Sequence, residues 1–181
     1  MEDFPIQNVF YFIGLLILLR GTFYMVKQKH AVIIERLGKF NKVSKAGLHL
    51  KIPFIDVIAG NVNLRVRELP VEVETKTKDD VFVRIVVSVQ FFVIAAVEGV
   101  KDSFYELNNP EQQIQSYVFD SIRSEVPLME LDDVFAEKEK IALAVQNELS
   151  GTMRQFGFDF IKALVTDIDP DAKVKHSMNE I

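Results

Sequence analysis

Three histidines, His30, His49 and His176, stand far apart in unlike contexts, without the spacing that would let imidazoles and a carboxylate share a metal ion. There is no cysteine, which removes thiolate zinc sites, a cysteine nucleophile, a disulfide framework and palmitoylation. A serine nucleophile calls for a G-x-S-x-G elbow, and none occurs; nor does a Walker A loop, a dinucleotide fingerprint or an H-E-x-x-H helix. Asp167, Asp169 and Asp171 have the alternate spacing of a calcium loop. Pro170 interrupts it, the turn glycine is missing and Lys173 and Lys175 follow, so Asp169 and Asp171 read as helix-capping acids. Asp132 caps a helix in this reading, and Asp132-Asp133 marks a helix start rather than a carboxylate pair. The residues predict no catalytic, cofactor-binding or metal site, and no enzyme.

The chemistry left is that of surfaces. Net charge is −5, unevenly spread. Residues 1–97 carry 13 Lys and Arg against 9 Asp and Glu, whereas residues 98–181 carry 8 against 17. Arg20, Lys27, Lys29, Lys39, Lys42 and Lys45, with Arg36 and Lys51, face the single acid Glu35 over residues 20–51. Beside an apolar segment, such a run suits anionic headgroups at about 1 kcal/mol per close cation; alone, it reads equally as a solvated face. It adjoins a membrane segment and the remainder is acidic, so nucleic acid is not expected as a partner.

That segment runs from Val9 to Leu19 as VFYFIGLLILL. Eleven helical residues reach only about 16 Å, short of the roughly 30 Å hydrocarbon core. Extended over Phe4–Val26 the helix reaches about 34 Å and can span, with Arg20 snorkelling to the headgroups at one end. Val9, Phe10, Phe12, Ile13, Leu15, Leu16, Ile17, Leu18 and Leu19 are the residues expected within the membrane. A cleaved signal peptide wants a positive start, but Glu2 and Asp3 stand there; Glu2 also argues against N-myristoylation. A buried helix is unusual at the end of so small a domain, and a re-entrant hairpin lacks a central proline. An uncleaved anchor is the reading. A second apolar cluster, Ile52, Pro53, Phe54, Ile55, Val57 and Ile58, is either a buried β segment or a loop dipping into the bilayer, with Ile52, Phe54, Ile55 and Ile58 as its contacts.

The elements that position these residues are strands first. Residues 31–37 are strand-like, with breaks at Gly38, Asn41 and Gly47. Every odd position from Val81 to Val93 is apolar, a long half-buried strand, and Val71, Val73, Thr75 and Thr77 share its period across a Lys78-Asp79-Asp80 turn. From Ala95 the period becomes helical. Asn109 caps a helix with Pro110 at its first position and Ile114, Val118 and Ile122 as its stripe. The helix capped by Asp132 turns Val134, Ile141, Val145, Leu149 and Met153 inward and ends at Gly157. Phe158, Phe160, Leu164 and Ile168 form a strand ending at Pro170. A further helix starts near Asp171 and is expected to continue past Ile181. On the exposed side, Glu137, Lys138, Glu139 and Lys140 alternate in sign. They are either solvated or lateral contacts between subunits, where complementary charges fix register.

Several stretches, in order, resemble the SPFH (Band 7) superfamily of stomatin, prohibitin, flotillin and HflK–HflC. They are Val32-Ile-Ile-Glu-Arg-Leu-Gly38, Ala46-Gly47-Leu48 and Ile52-Pro53-Phe54. Glu74-Thr-Lys-Thr-Lys-Asp79, residues 115–123, Leu131-Asp-Asp-Val-Phe135, residues 167–171 and Met178-Asn-Glu-Ile181 are similar to its hypersensitive-induced-reaction-like and stomatin-like branch. The resemblance covers roughly residues 27–181. It implies an α+β fold: a membrane helix at 1–26, a β-rich SPFH1 subdomain at 27–94, a helix-rich SPFH2 subdomain at 95–170, and the start of a coiled-coil helix at 171–181. It also implies a membrane scaffold without enzymatic activity. Such a scaffold would bind membrane lipids, assemble as a homo-oligomeric ring or cage, organise membrane microdomains and regulate partners such as an AAA protease. The basic residues after the anchor place the soluble part on the cytoplasmic side by the positive-inside rule.

Overall fold

The computed structural model describes residues 20–170, together with Tyr11, Ile13, Gly14 and Leu16. Val9, Phe10, Phe12, Leu15, Ile17, Leu18 and Leu19 of the expected anchor lie outside the described residues, as does the helix expected from Asp171. Ile13 and Leu16 are helical and exposed, and residues 20–22 are helical. Among the described residues no helix is long and apolar enough to cross a membrane.

The chain divides into two compact units at Leu64 and Arg65. Among its described residues the first holds five strands: β1 (Phe23–Val26), β2 (His30–Arg36), β3 (Lys39–Ser44), β4 (Gly47–Leu50) and β5 (Asp56–Asn63). β3, β2 and β5 form an antiparallel sheet with β2 central, and β1 pairs with β4 as a separate two-stranded ribbon. Ala31, Val32, Ile33 and Ile34 are buried in succession rather than alternately, because the central strand is covered on both faces. Val26 of the ribbon packs on Val32 and Ile34, with Tyr24 beside them.

Over its described residues the second unit is a three-stranded sheet carrying four α-helices: α1 (Val97–Tyr105), α2 (Pro110–Glu125), α3 (Leu131–Ala136) and α4 (Lys138–Met153). The long strand β7 (Phe82–Val93) lies between β6 (Arg67–Lys76) and β8 (Phe158–Pro170). Its odd residues from Val83 to Val93 are buried, as the alternation required. Ile114, Val118 and Ile122 from α2, and Ile141, Val145 and Leu149 from α4, are buried too. Phe91 at the core centre meets Phe158 and Phe160 at 6.2 and 6.1 Å, with the Arg67 guanidinium 4.7 Å from its centroid. The Asn109 side chain accepts from the Gln112 amide at 3.3 Å, the expected cap.

Four local expectations change. The break expected at 94/95 falls inside the second unit, because β7 pairs along its length with β8 beyond the helices. The helix over 132–153 is two helices, interrupted at Glu137 (φ −106°, ψ 33°). Asp132 lies in the first turn of α3, whose cap position is Glu130. The acid serving that end comes from the β6–β7 turn: Asp79 Oδ1 accepts the Leu131 amide at 3.1 Å and the Thr77 hydroxyl at 2.5 Å. The Thr77 hydroxyl first, with backbone amides including that of Leu131 adding to it, holds the Asp79 carboxyl below its ordinary range against the opposing effect of burial. Asp169 is a strand residue rather than a cap, bonded by Arg84 Nη2 at 2.7 Å.

Candidate membrane-contact surface

The ribbon's register decides which side chains share a face. Phe23 lies opposite Leu50 and Met25 opposite Leu48, so all four point outward together; Tyr24, opposite His49, points inward. On the inner face the Tyr24 hydroxyl meets Ser44 Oγ at 2.6 Å and its ring stacks on His49 at 5.6 Å. On the outer face, Phe23, Met25, Leu48 and Leu50 are between 51 and 78% exposed. Four large apolar side chains in direct cross-strand contact, with water over them, form a contiguous patch rather than scattered surface hydrophobes.

Beyond Leu50 the ribbon leads into a turn. The Lys51 amide donates to the Thr22 carbonyl at 2.8 Å, and a Cβ at Gly21 would sit 3.6 Å from that of Pro53. Residues 52–55 therefore flank the point where the N-terminal segment joins the first unit. Phe54, at the tip, is 87% exposed with φ +68°, a left-handed conformation uncommon for a bulky residue. Ile52 and Ile55 are exposed; Ile58 is exposed too but lies on β5 rather than in the loop. Of the buried β segment expected here, the strand holds for Val57 and Ile58 but the burial does not: of residues 52–58 only Asp56 is buried, because it is the pin of the turn.

Asp56 Oδ2 accepts the Ile52 amide at 2.9 Å, and the Asp56 amide returns a bond to the Ile52 carbonyl at 2.9 Å. Arg36 grips the same carboxylate with Nε at 2.7 Å and Nη2 at 3.2 Å. The Arg36 bond, then the Ile52 amide, pull the Asp56 pKa from 3.8 to about 2, against the opposing effect of burial. A depressed carboxyl stabilises the folded state fully above its unfolded pKa and loses that contribution as pH falls through the folded value. The Ile52 amide should accordingly be protected from hydrogen exchange at pH 5, with protection falling between about pH 4 and pH 2. Asp56→Asn should leave that amide poorly protected throughout. An Asp56→Asn protein with native protection at Ile52 would contradict this role.

The cations expected at headgroups are all exposed. Lys27 and Lys45 flank the Val26–Gly47 end of the ribbon, and Lys42 Nζ donates to the Leu50 carbonyl at 3.1 Å near the other end. Lys29 lies in the β1–β2 turn. Lys39 follows the 37–38 turn, where exposed Leu37 donates its amide to the Ile55 carbonyl at 3.3 Å. Arg20 precedes Gly21 at the junction. The four residues expected at subunit contacts lie together at the exposed start of α4, Glu137 at its cap position and Lys138, Glu139 and Lys140 in its first turn. Lys140 donates to Glu137 Oε2 at 3.1 Å, and the Lys138 ammonium is 5.7 Å from the Phe135 centroid. Such exposed pairs contribute only a few tenths of a kcal/mol each.

Residues 24–180 match the family model described as SPFH domain / Band 7 family. The chain belongs to this family. Its members are generally membrane-associated scaffold proteins rather than enzymes. Among curated proteins, it is 41% identical over 157 residues to the hypersensitive-induced response protein 4 of Arabidopsis thaliana, covering 86% of this chain and 53% of that protein. It is 28% identical over 156 residues to the stomatin-like protein stl-1 of Caenorhabditis elegans, covering 84% and 46%. An uncharacterized protein of Methanocaldococcus jannaschii is 29% identical over 155 residues, covering 85% and 75%. The chain spans about half the length of the first two relatives. The SPFH match starts inside β1, so the ribbon and turn belong to the family domain rather than to the segment before it. The helix expected over Phe4–Val26 is corrected at its end, where Phe23–Val26 is a strand paired with β4. Sequence reasoning thus placed Phe23 and Met25 on the wrong element and missed Leu48 and Leu50, for which the available signal was the alternation Leu-His-Leu on one short strand and Phe-Tyr-Met on the other.

Proposed function

We propose that this SPFH protein is a membrane-bound scaffold subunit that self-assembles into a large ring or cage and organises the bilayer around it, regulating membrane partners such as an AAA protease. The outer face of the β1–β4 ribbon carries the reading: four apolar side chains exposed together, continued by Phe54 at the tip of a pinned turn. In water this arrangement gives no return for its exposure or for the strained Phe54 backbone. Against acyl chains it does. The N-terminal apolar run anchors the chain beside that turn, and the lysines around the ribbon meet anionic headgroups, with the folded units on the cytoplasmic side.

Self-assembly is supported by the alternating charges of Glu137, Lys138, Glu139 and Lys140, whose contribution within one chain is too small to account for their density. Flotation with anionic vesicles and sedimentation in mild detergent test the two halves of the proposal. The expected result is co-flotation weakened by salt, together with particles far larger than one chain. A monomer would instead make the protein a membrane-bound module that binds a single lipid or client, and failure to float would remove the membrane reading.

A further inference from the structure

Two features of the second unit, neither used by the membrane surface, fit one another. One is a socket of about 270 Å³ between α4 and the edge strand β8, with Ala142, Leu143, Leu164 and Val165 as its apolar lining. Its rim carries Lys138 and Lys162 against the single acid Glu139. Leu143 is 57% exposed there. The other is a knob, Pro127-Leu128, in the 3-10 turn joining α2 to α3. Leu128 is 73% exposed, while Val126 beneath it is fully buried. The turn is braced by the Met129 amide to the Val126 carbonyl at 3.0 Å and the Lys78 amide to the Met129 carbonyl at 2.9 Å. Glu130, Asp132 and Asp133 are exposed immediately after the knob, with Lys78 bonded to Glu130 at 3.2 Å.

We infer that the Leu128 knob of one copy seats in the α4–β8 socket of a second copy. This rests on the reading that the chain self-assembles and names the surfaces by which it does so. The occupant follows from charge: exposed Asp132 and Asp133, beyond the Lys78–Glu130 pair, follow the apolar knob, and Lys138 and Lys162 with Glu139 rim the apolar socket, on the same chain. A rigid aliphatic centre inside a polar rim is the arrangement that concentrates interface energy, and the braced turn has little ordering left to lose. The rim charges set register and oppose wrong pairings. Because knob and socket are different surfaces, a copy that uses one of each toward its neighbours leaves none idle when the rotation closes, which is how rings form.

The absence of native cysteine makes the test clean. Leu128→Cys and Leu143→Cys variants of this chain are prepared separately, oxidised alone and oxidised as a mixture. Both sites are exposed, so the fold should tolerate the changes, which circular dichroism checks. The mixture is expected to give a cross-linked dimer several-fold above either protein alone, since a disulfide needs the two Cα atoms within about 7 Å. Raising salt to about 0.5 M should lower the yield. A mixture that cross-links no better than its components, while the native chain sediments as a large particle, overturns this contact and leaves self-assembly standing. A native chain that sediments as a monomer removes both.

Discussion

Replacing Phe23, Met25, Leu48 and Leu50 by serine together is expected to weaken partition onto anionic vesicles roughly a thousandfold. Full burial of one such side chain contributes about 1.5–3 kcal/mol, and between 51 and 78% of each is still exposed, leaving about 1 kcal/mol or more apiece for the membrane. Four of them total about 4 kcal/mol, and each 1.4 kcal/mol is about tenfold. The comparison is made with a chain beginning at Gly21, which keeps every strand of the first unit and omits the apolar run before it. Tyr24 and Val26 hold the ribbon to the unit from its other face, so the serine variant should retain its circular dichroism. A fall of less than about tenfold would mean that the ribbon face is not the membrane contact.

Gly157→Ala is expected to destabilise the second unit by about 3 kcal/mol or more, lowering its Tm by roughly 10 °C. Gly157 sits at φ +81°, where alanine is strained by about 1 kcal/mol, and its new Cβ would fall 2.0 Å from the Gly99 carbonyl oxygen. That oxygen belongs to α1, so relief requires a backbone shift rather than a side-chain rotation. The Ile94 amide also bonds the Gly157 carbonyl at 2.9 Å, so movement here pulls on the end of β7. Gly151 is the control: nothing lies within 4 Å of its added Cβ in α4, and Gly151→Ala should stabilise by up to about 1 kcal/mol. Calorimetry of the two variants checks both signs.

The parts of this fold that were legible in the sequence are those set by local pattern. β7 is covered on its odd side along its whole length, so its period survives in the residues. The Asn109-Pro110 helix start is written in two adjacent positions, and the β6–β7 hairpin in its three-residue turn. Pairing between distant segments was not legible. Nothing around residues 82–93 distinguishes a strand with one neighbour from one that meets Phe158–Pro170 across four helices, and so the unit boundary was misplaced. For the same reason the acid assigned to cap α3 was the adjacent Asp132, when Asp79 reaches it from another element.

The candidate surface was half legible. Ile52, Phe54 and Ile55 stand out as an apolar cluster beside cations, but Asp56 looked like an interruption when it is the residue that shapes the turn. The ribbon escaped notice because β1 and β4 are four residues each, too short for a period to show. β1 also follows directly on the N-terminal apolar run, where Phe23 and Met25 read as the end of a helix. Only the pairing of Phe23 with Leu50 and Met25 with Leu48 turns these residues into one face.

The central claim is that this face lies among lipid acyl chains, and the lack of any native tryptophan allows a direct measurement. A Met25→Trp variant of the 181-residue chain is mixed with anionic vesicles whose acyl chains carry bromine. The account predicts that emission shifts to the blue and is quenched by the brominated chains, and that the protein without vesicles emits as a water-exposed indole. Blue emission already present without vesicles, as a second copy covering the ribbon would produce, contradicts the account. So does a tryptophan that stays red and unquenched on a protein that nonetheless floats with the vesicles.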